Sequence, residues 1–155
     1  MIREATPEDT PRLLVLAKAF HYAARLKRFA AFEESVESWA AWIDSCTERL
    51  DAVCLLSEDD EGRVQGFATA VLTGAFWNPA VRFVQETALW VDPEARGKGH
   101  GSQLLSAVEE WARKQGVQLA AAGASQGCQP KAMRRMLERS GYALEERMYL
   151  KHLET

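Results

Sequence analysis

Residues 89–105 constrain the fold of this chain more than any other segment. A strand-like apolar run leads directly into a turn with three glycines and then into the pattern of an amphipathic helix. The glycines, each separated from the next by one residue, are Gly97, Gly99 and Gly101. Because glycine has no Cβ, such a backbone curls closely around a bound group, and the free N–H groups of the first helical turn point at that group. These donors, the helix dipole and the neighbouring Arg96 and Lys98 favour a phosphate or diphosphate ligand.

Two better-known phosphate loops do not fit this spacing. A Walker loop needs four residues between its first glycine and the Gly-Lys-[Ser/Thr] that follows, and Gly97-Lys98-Gly99 lacks them. The dinucleotide fingerprint reads G-x-G-x-x-G and places an acidic residue about 20 positions further on, whereas position 120 here is alanine. From the spacing alone, a solvated turn that merely ends a strand stays open beside a phosphate site.

Strand and helix patterns follow one another along the whole chain without linkers or repeats. Alternating or compact apolar runs predict strands, whereas apolar residues three and four apart predict helices. Strands are predicted at 1–5, 52–56, 63–73, 80–91 and 117–122, with a final antiparallel pair at 142–153. Helices are predicted from Thr6 or Thr10 to about 26, from about 32, over 99–115 and over 129–139, and 74–79 is predicted to be a loop. We expect one domain over residues 1–155, with strand 117–122 buried on both faces in a parallel pairing.

Composition excludes several classes of protein. The 155 residues contain no apolar run near the roughly 20 residues that a membrane span requires. The first four residues lack the apolar stretch of a signal peptide, so we expect a cytoplasmic protein with no membrane partner. Three cysteines, Cys46, Cys54 and Cys128, lack the spacing of a zinc or redox site, so no metal is expected.

The net charge of −3 hides a gradient along the chain. Residues 1–95 hold 9 Lys and Arg against 16 Asp and Glu, a net −7, whereas residues 96–155 hold 10 against 6, a net +4. This surplus is small for binding nucleic acid, so we do not expect nucleic acid as a partner. It suits a small polyanion.

The run VDPEARGKGHG at residues 91–101 resembles the coenzyme A signature of the GNAT superfamily of N-acetyltransferases. The family pattern is [Arg/Gln]-x-x-G-x-[Gly/Ala], which Arg96, Gly99 and Gly101 match. The order of predicted elements and the opening residues 2–9 are similar to the family as well. The resemblance implies an α/β (α+β) GNAT fold: a mixed central sheet with antiparallel N-terminal strands, parallel splayed strands four and five, and flanking helices.

The resemblance also implies a coenzyme site and a reaction. Backbone groups on the fourth strand would bind the pantetheine arm of acetyl-CoA, which is the cosubstrate; they belong to Leu89, Trp90 and Val91. Backbone N–H groups of the turn would hold the pyrophosphate; they belong to Arg96, Gly97, Lys98, Gly99, His100, Gly101 and Ser102. The acetyl group would pass directly to a primary amine of a small molecule or a peptide, so Cys128 is expected to be a bystander.

Two catalytic roles are less well defined in the sequence. Glu86 is the candidate base that takes the proton of the attacking amine, because many family members carry a carboxylate there. Strand alternation places Glu86 on the face of Val84, Ala88 and Trp90, but a bulge would shift that register. Many members carry a tyrosine acid four residues before the glycine that ends the last helix, and this chain has Leu137 there.

Several alternatives stay open. The missing tyrosine is compatible with a catalytically silent coenzyme A-binding module, and a toxin-like or regulatory enzyme could act on a macromolecule. A homodimer is also compatible with the sequence. Acidic residues in the first two helices suggest a cationic acceptor. Four aromatic residues line either an acceptor pocket or the core, and at least half are expected in the core; they are Phe29, Phe32, Phe76 and Trp77.

Overall fold

The computed structural model describes residues 1–151 and residue 153. Within these residues the chain forms five strands and four α-helices. The strands are β1 (Ile2–Glu4), β2 (Ala52–Glu58), β3 (Val64–Ala75), β4 (Asn78–Val91) and β5 (Leu119–Ala121). The helices are α1 (Thr10–Ala23), α2 (Phe32–Glu48), α3 (His100–Lys114) and α4 (Pro130–Arg139). Among the described residues, none of the helices is long and apolar enough to cross a membrane.

The strands form one mixed sheet in the order β1-β2-β3-β4-β5. The first four strands pair antiparallel, as short connections allow, and β5 pairs parallel to β4 after the α3 crossover. This arrangement confirms the predicted fold class, including antiparallel N-terminal strands and a parallel pair of strands four and five.

Helices cover both faces of the sheet with the apolar stripes that the sequence predicts. On one face, Leu13 of α1 and Ile43 of α2 pack with Phe67 of β3. On the other face, Leu104 of α3 packs with Val84 of β4. Burying each such side chain contributes roughly 1.5–3 kcal/mol, so these contacts fix the helices against the strands that carry the candidate site.

Two ion pairs fix the start of α1 relative to the sheet. Arg3 of β1 donates to both carboxylate oxygens of Asp9, at 2.7 and 2.8 Å, and these bonds hold the pKa of Asp9 at about 2. Arg12 of α1 contacts the carboxylate of Asp92 at 2.6 Å, directly after β4. The N-terminal end of α1 therefore lies beside the C-terminal end of β4.

The loop predicted at 74–79 is wrong, because most of that segment belongs to strands β3 and β4. The two strands turn at Phe76 and Trp77, which are 96% and 65% exposed. Gly74 and Pro79 interrupted the strand pattern in the sequence, yet both lie within the ladder. The pairing shifts register between Gly74 and Ala75, and a Cβ on Gly74 would lie 2.9 Å from the Pro79 carbonyl oxygen, so the close approach needs glycine.

Two predictions for the C-terminal part are also wrong. Strand β5 lies at the edge of the sheet with Leu119 53% exposed, so it is not buried on both faces. Residues 142–151 and 153 form no strand, and no final antiparallel pair exists among the described residues; His152 lies outside them. The apolar residues of this segment favour a strand, but the charged run 145–147 leaves it few side chains to bury. Strand β5 is only three residues long, so it offers little edge for a further strand to pair with.

Candidate active site

The glycine-rich turn has the backbone that its sequence predicts. Gly97 and Gly99 adopt left-handed conformations, with φ of 77° and 89°, and Gly99 directly precedes α3. The first helical hydrogen bond runs from the Gln103 N–H to the Gly99 carbonyl, at 3.0 Å. In the part of the chain that the structure describes, none of the N–H groups of residues 97–102 donates a hydrogen bond to the backbone. This run of free donors at a helix N-terminus suits an anionic phosphate.

The side chain of Arg96 braces the turn against β4. Its Nε donates to the Val91 carbonyl oxygen at 3.0 Å, and its guanidinium lies 4.7 Å from the centre of the Trp90 ring. The Arg96 N–H donates to the Pro93 carbonyl oxygen at 3.3 Å, so the run of free N–H groups begins one residue later. Lys98 is exposed, and within the described chain its ammonium makes no ion pair. Of the two predicted cations, Lys98 is thus the one left free for a ligand.

The side chain of His100 connects the same turn to strand β2. Its Nδ1 hydrogen-bonds the hydroxyl of Ser57, a fully buried residue of β2. Its side chain therefore fixes the start of α3 to the sheet, while its backbone N–H belongs to the free run.

Strand β4 bulges and then separates from β5. Ala88 pairs with Thr69 whereas Glu86 pairs with Ala70, so Thr87 is the extra residue. The Thr87 hydroxyl donates to the Thr69 carbonyl oxygen at 3.1 Å and holds the bulge in place. Pairing with β5 ends at Gln85, so among the described residues no strand pairs with the rest of β4 on that side. An open strand edge therefore runs from the bulge to the glycine-rich turn.

The register decides which backbone groups face this open edge. The Asp92 N–H donates to Gln65 of β3, and in an antiparallel ladder every second residue bonds the same neighbour. Trp90 therefore shares the orientation of Asp92 and bonds β3, whereas the N–H and C=O groups of Leu89 and Val91 face the open edge. Of the three residues predicted to bind pantetheine, Leu89 and Val91 thus have backbone groups that face the open edge, whereas Trp90 does not. The Val91 carbonyl oxygen also accepts a hydrogen bond from Arg96.

Glu86 lies at the far end of this open edge, on the α3 side of the sheet. The bulge produces this placement, since Val84 packs on the α3 side while Ala88 and Trp90 pack on the α1 side. Oε2 of Glu86 accepts from the Gly123 N–H at 3.3 Å, in the loop that follows β5. Burial raises the pKa of Glu86 from 4.5 to about 7, although the Gly123 hydrogen bond lowers it. A carboxylate with such a pKa exchanges protons near neutral pH.

Position 137 offers no proton donor. Leu137 is 8% exposed, and its buried hydrocarbon side chain has no proton to donate. Tyr142 lies nearby, but burial and the Glu109 carboxylate raise the pKa of its hydroxyl far above neutrality. The pKa of the Cys128 thiol is likewise raised, mainly by burial, so the thiol is protonated at neutral pH. Neither side chain has the pKa of a group that titrates during turnover near neutral pH.

The loop between β5 and α4, residues 122–129, borders the site and was missed in the sequence. Gly123 contacts Glu86, and Gly127 packs so closely on the carbonyl of Ala23 that a Cβ at position 127 would overlap it. The loop thus joins the end of α1 to the bulge in β4. The two glycines were the available signal, but their partners lie far away in the sequence.

Most of the four aromatic candidates are not in the core. Phe32 is buried, whereas Phe29, Phe76 and Trp77 are all exposed. The expectation that at least half would be core residues is therefore wrong. Phe76 and Trp77 form the tip of the β3–β4 hairpin. This tip extends beyond Ala52, where the pairing of β2 with β3 ends, so β2 does not cover the two side chains.

The turn, the open strand edge and the adjacent carboxylate fit an α/β protein that binds a phosphate-bearing ligand in extended form. A model of the acetyltransferase (GNAT) family matches residues 16–142. The chain therefore belongs to the GNAT acetyltransferase family, and the predicted family and enzyme class are confirmed.

Solved structures agree on the fold. An aminoglycoside N-acetyltransferase, AAC(6′)-Iy in complex with CoA, has a TM-score of 0.79 at 18% identity, covering 100% of this chain and 95% of that one. A ribosomal-protein-alanine N-acetyltransferase from Brucella melitensis biovar Abortus 2308 has a TM-score of 0.71 at 17% identity, with 99% of each chain covered. A predicted acetyltransferase with acetyl-CoA from Clostridium acetobutylicum has a TM-score of 0.75 at 15% identity, covering 97% and 95%. No curated protein matches the sequence.

Proposed function

We propose that this protein transfers the acetyl group of acetyl-CoA directly to a primary amine. One observation carries the proposal: the free N–H groups of residues 97–102 lie beside the open edge of β4, where Gly101 approaches the side chains of Leu89 and Val91, and Glu86 stands at the far end of that edge. A diphosphate, an extended pantetheine arm and a reacting thioester follow one another in the same order along acetyl-CoA. When bound, acetyl-CoA supplies an activated acyl group.

The turn and the strand edge divide the binding work. The N–H groups of Gly97 to Ser102 hold the pyrophosphate, with Lys98 as an additional cation and Arg96 as the brace that keeps the turn in place. The backbone groups of Leu89 and Val91 bind the pantetheine amides as a neighbouring strand would. A backbone N–H near the bulge stabilises the oxyanion that forms as the amine attacks.

Glu86 is the proposed base. An amine attacks only as the neutral form, so its proton must leave directly or through a water molecule. A carboxylate with a pKa of about 7 accepts that proton near neutral pH and releases it again to solvent. The Gly123 N–H orients the carboxylate toward the gap between β4 and β5.

The departing thiolate receives its proton from water in this proposal. Position 137, where many relatives carry a tyrosine, holds a packed leucine. The thiol of coenzyme A is acidic enough for the thiolate to leave without a general acid, and the open edge of β4 admits solvent. The acetyl group never bonds to the enzyme, so no nucleophilic side chain is required.

A panel of primary amines with free-thiol detection tests this function, with Glu86→Gln as the variant and Glu109→Gln as its matched control. Glu109 is also part-buried but bonds Arg113 and Tyr142 instead of the open edge. We expect thiol release with at least one amine, a loss of about 10²–10⁴-fold in Glu86→Gln, and near-normal turnover in Glu109→Gln. Unchanged turnover in Glu86→Gln would remove it as the base, and coenzyme binding without any thiol release would identify a silent binding module.

A further inference from the structure

The connection between α1 and α2, residues 24–31, carries three cations without acidic partners. Arg25, Lys27 and Arg28 are exposed, and none of them forms an ion pair within residues 1–151 and 153. Lys27 and Arg28 lie over the rings of Tyr22 and Phe29, at 5.6 and 4.6 Å from their centres. These contacts leave the positive charge of the connection uncompensated.

The acidic residues that follow are already engaged. Glu33 pairs with Lys18 at 3.2 Å, and the carboxylate of Glu34 accepts from the Ala31 N–H at 3.3 Å, at the start of α2. Carboxylates in the first turn of a helix are stabilised by its dipole. Glu33 and Glu34 therefore have structural contacts at the start of α2 and are not free to bind a cationic acceptor.

The α1–α2 connection borders the candidate active site. The last residue of α1, Ala23, supports Gly127 through direct backbone packing, and the same loop reaches Glu86 through Gly123. Helix α1 starts beside Asp92 and runs for 14 residues, about 21 Å at 1.5 Å per residue. Glu86 lies six residues before Asp92 along β4, about 20 Å at 3.3 Å per residue. Both estimates bring the end of α1 to the level of the reacting end of the open edge.

Buried polar contacts hold the connection in one conformation. Nε2 of His21, a 4% exposed residue, hydrogen-bonds the Ala30 carbonyl oxygen at 2.9 Å, and Trp39 Nε1 donates to His21 Nδ1 at 3.3 Å. Arg25 takes a left-handed conformation with φ of 60°, which is uncommon for a residue with a side chain. The contacts of His21 thus tie the end of α1 to the residues just before α2, on either side of the three cations.

We propose that the acceptor amine belongs to a molecule with an anionic group, a carboxylate or a phosphate, which Arg25, Lys27 and Arg28 bind. This inference rests on the proposed function, since it names the substrate class of the same site. Guanidinium groups suit the two oxygens of a carboxylate or phosphate, and the ammonium adds a point charge. The anion orients the acceptor so that its amine reaches the open edge beside Glu86.

Cations that follow a helix C-terminus also stabilise the helix through its dipole. That role alone predicts a small loss of stability on neutralisation and no change in acceptor preference. The two explanations therefore separate in a measurement that compares acceptors of different charge.

The test pairs a charge-neutralised variant with a control of equal net charge. The variant combines Arg25→Gln, Lys27→Gln and Arg28→Gln; the control combines Arg49→Gln, Arg63→Gln and Lys114→Gln, which are exposed residues elsewhere on the surface. Acceptors are the peptide amides Ala-Asp-Asp-Gly, Ala-Asn-Asn-Gly and Ala-Lys-Lys-Gly, together with glycine against glycinamide and phosphoethanolamine against ethanolamine. The small pairs separate a free carboxylate or phosphate from an acidic peptide as the source of the anion.

We expect kcat/KM at least tenfold higher for the anionic member of one or more sets, mainly through KM. This preference falls to within about twofold in the variant and stays in the control. Equal rates for anionic and neutral amines, or a preference for the lysine peptide, would overturn the inference while leaving the proposed function intact.

Calorimetric titration of the same acceptors into the coenzyme A complex separates the two proposals where turnover is absent. Binding of an anionic acceptor that the variant loses would support the charge preference even if no thiol is released, in which case the proposed function fails alone. Equal or absent binding of all acceptors overturns the inference.

Discussion

Gly99→Ala tests whether the glycine-rich turn holds the coenzyme. Gly99 has φ of 89° and lies at the start of α3, and a Cβ there would meet only Gln103 Nε2, at 3.5 Å. Space is therefore available, and the cost comes from the left-handed backbone, roughly 1–2 kcal/mol for a residue with a side chain. The free protein can recover part of this cost by relaxing the turn. The free energy that this relaxation saves is lost again on binding, because the N–H groups must return to the original conformation to contact the pyrophosphate.

The expected result is a loss divided between stability and affinity. If the turn relaxes fully, affinity for coenzyme A falls by about 5–30-fold, which corresponds to the same 1–2 kcal/mol. If it relaxes little, the free energy of unfolding falls instead. Urea denaturation measures the second quantity, and titration of coenzyme A followed by tryptophan fluorescence measures the first.

Gly62→Ala provides the matched control. Gly62 has φ of 76° in the β2–β3 turn, and a Cβ there meets nothing within 4 Å. The backbone cost is therefore similar, but no coenzyme contact is proposed at this position. We expect Gly62→Ala to lose stability alone. A Gly99→Ala protein that loses clearly less stability than Gly62→Ala, and still binds coenzyme A with wild-type affinity, would refute the role of the turn, because the relaxed turn would then bind as well as the native one.

Three other substitutions test the cleft. Burial raises the pKa of Glu86 in the folded protein to about 7, so the folded protein still holds a proton that the unfolded chain loses near pH 4.5. The free energy of unfolding of the wild type should therefore fall as pH rises from about 4.5 to 7, by at most about 3 kcal/mol. Urea denaturation of Glu86→Gln should lack this fall, and an equal fall would contradict the assignment. Gly127→Ala overlaps the Ala23 carbonyl, so we expect a destabilisation of roughly 1–3 kcal/mol and slower acetyl transfer with nearly unchanged acetyl-CoA affinity; equal loss of both would argue against a local effect. Cys128→Ala should retain thiol release, whereas a loss above tenfold would indicate a covalent intermediate.

The glycine-rich turn was predictable because its determinants are local. Left-handed conformations at Gly97 and Gly99 and the start of α3 depend on residues within a few positions of one another. Helix boundaries followed for the same reason: α4 begins at Pro130, as the sequence predicts.

The placement of Glu86 depended on information outside its own segment. Alternation along β4 puts Glu86 on the face of Trp90, and the extra residue Thr87 separates them. That bulge is held by Thr69 of another strand, so no pattern within β4 specifies it. The sequence could state that a bulge would change the outcome, but the position of the bulge required the register of β3 against β4.

The contacts of the 122–129 loop could not be predicted from the sequence for a related reason. Gly127 rests on Ala23, more than 100 residues earlier, and only the folded sheet brings them together. Counting acids in the first two helices likewise ignores that Glu33 and Glu34 are already bonded, and the charge of the acceptor stays a prediction. Composition gives the number of charges, whereas the fold decides which of them remain available.

Isothermal titration of acetyl-CoA into the wild-type protein tests the central claim most directly. The account predicts one saturable site per chain, with affinity that decreases as salt is raised because the ligand carries several phosphate charges. It also predicts that dephospho-CoA retains most of the affinity, because the pyrophosphate and pantetheine contacts of residues 89–102 remain. Absence of saturable binding at millimolar acetyl-CoA would contradict the account.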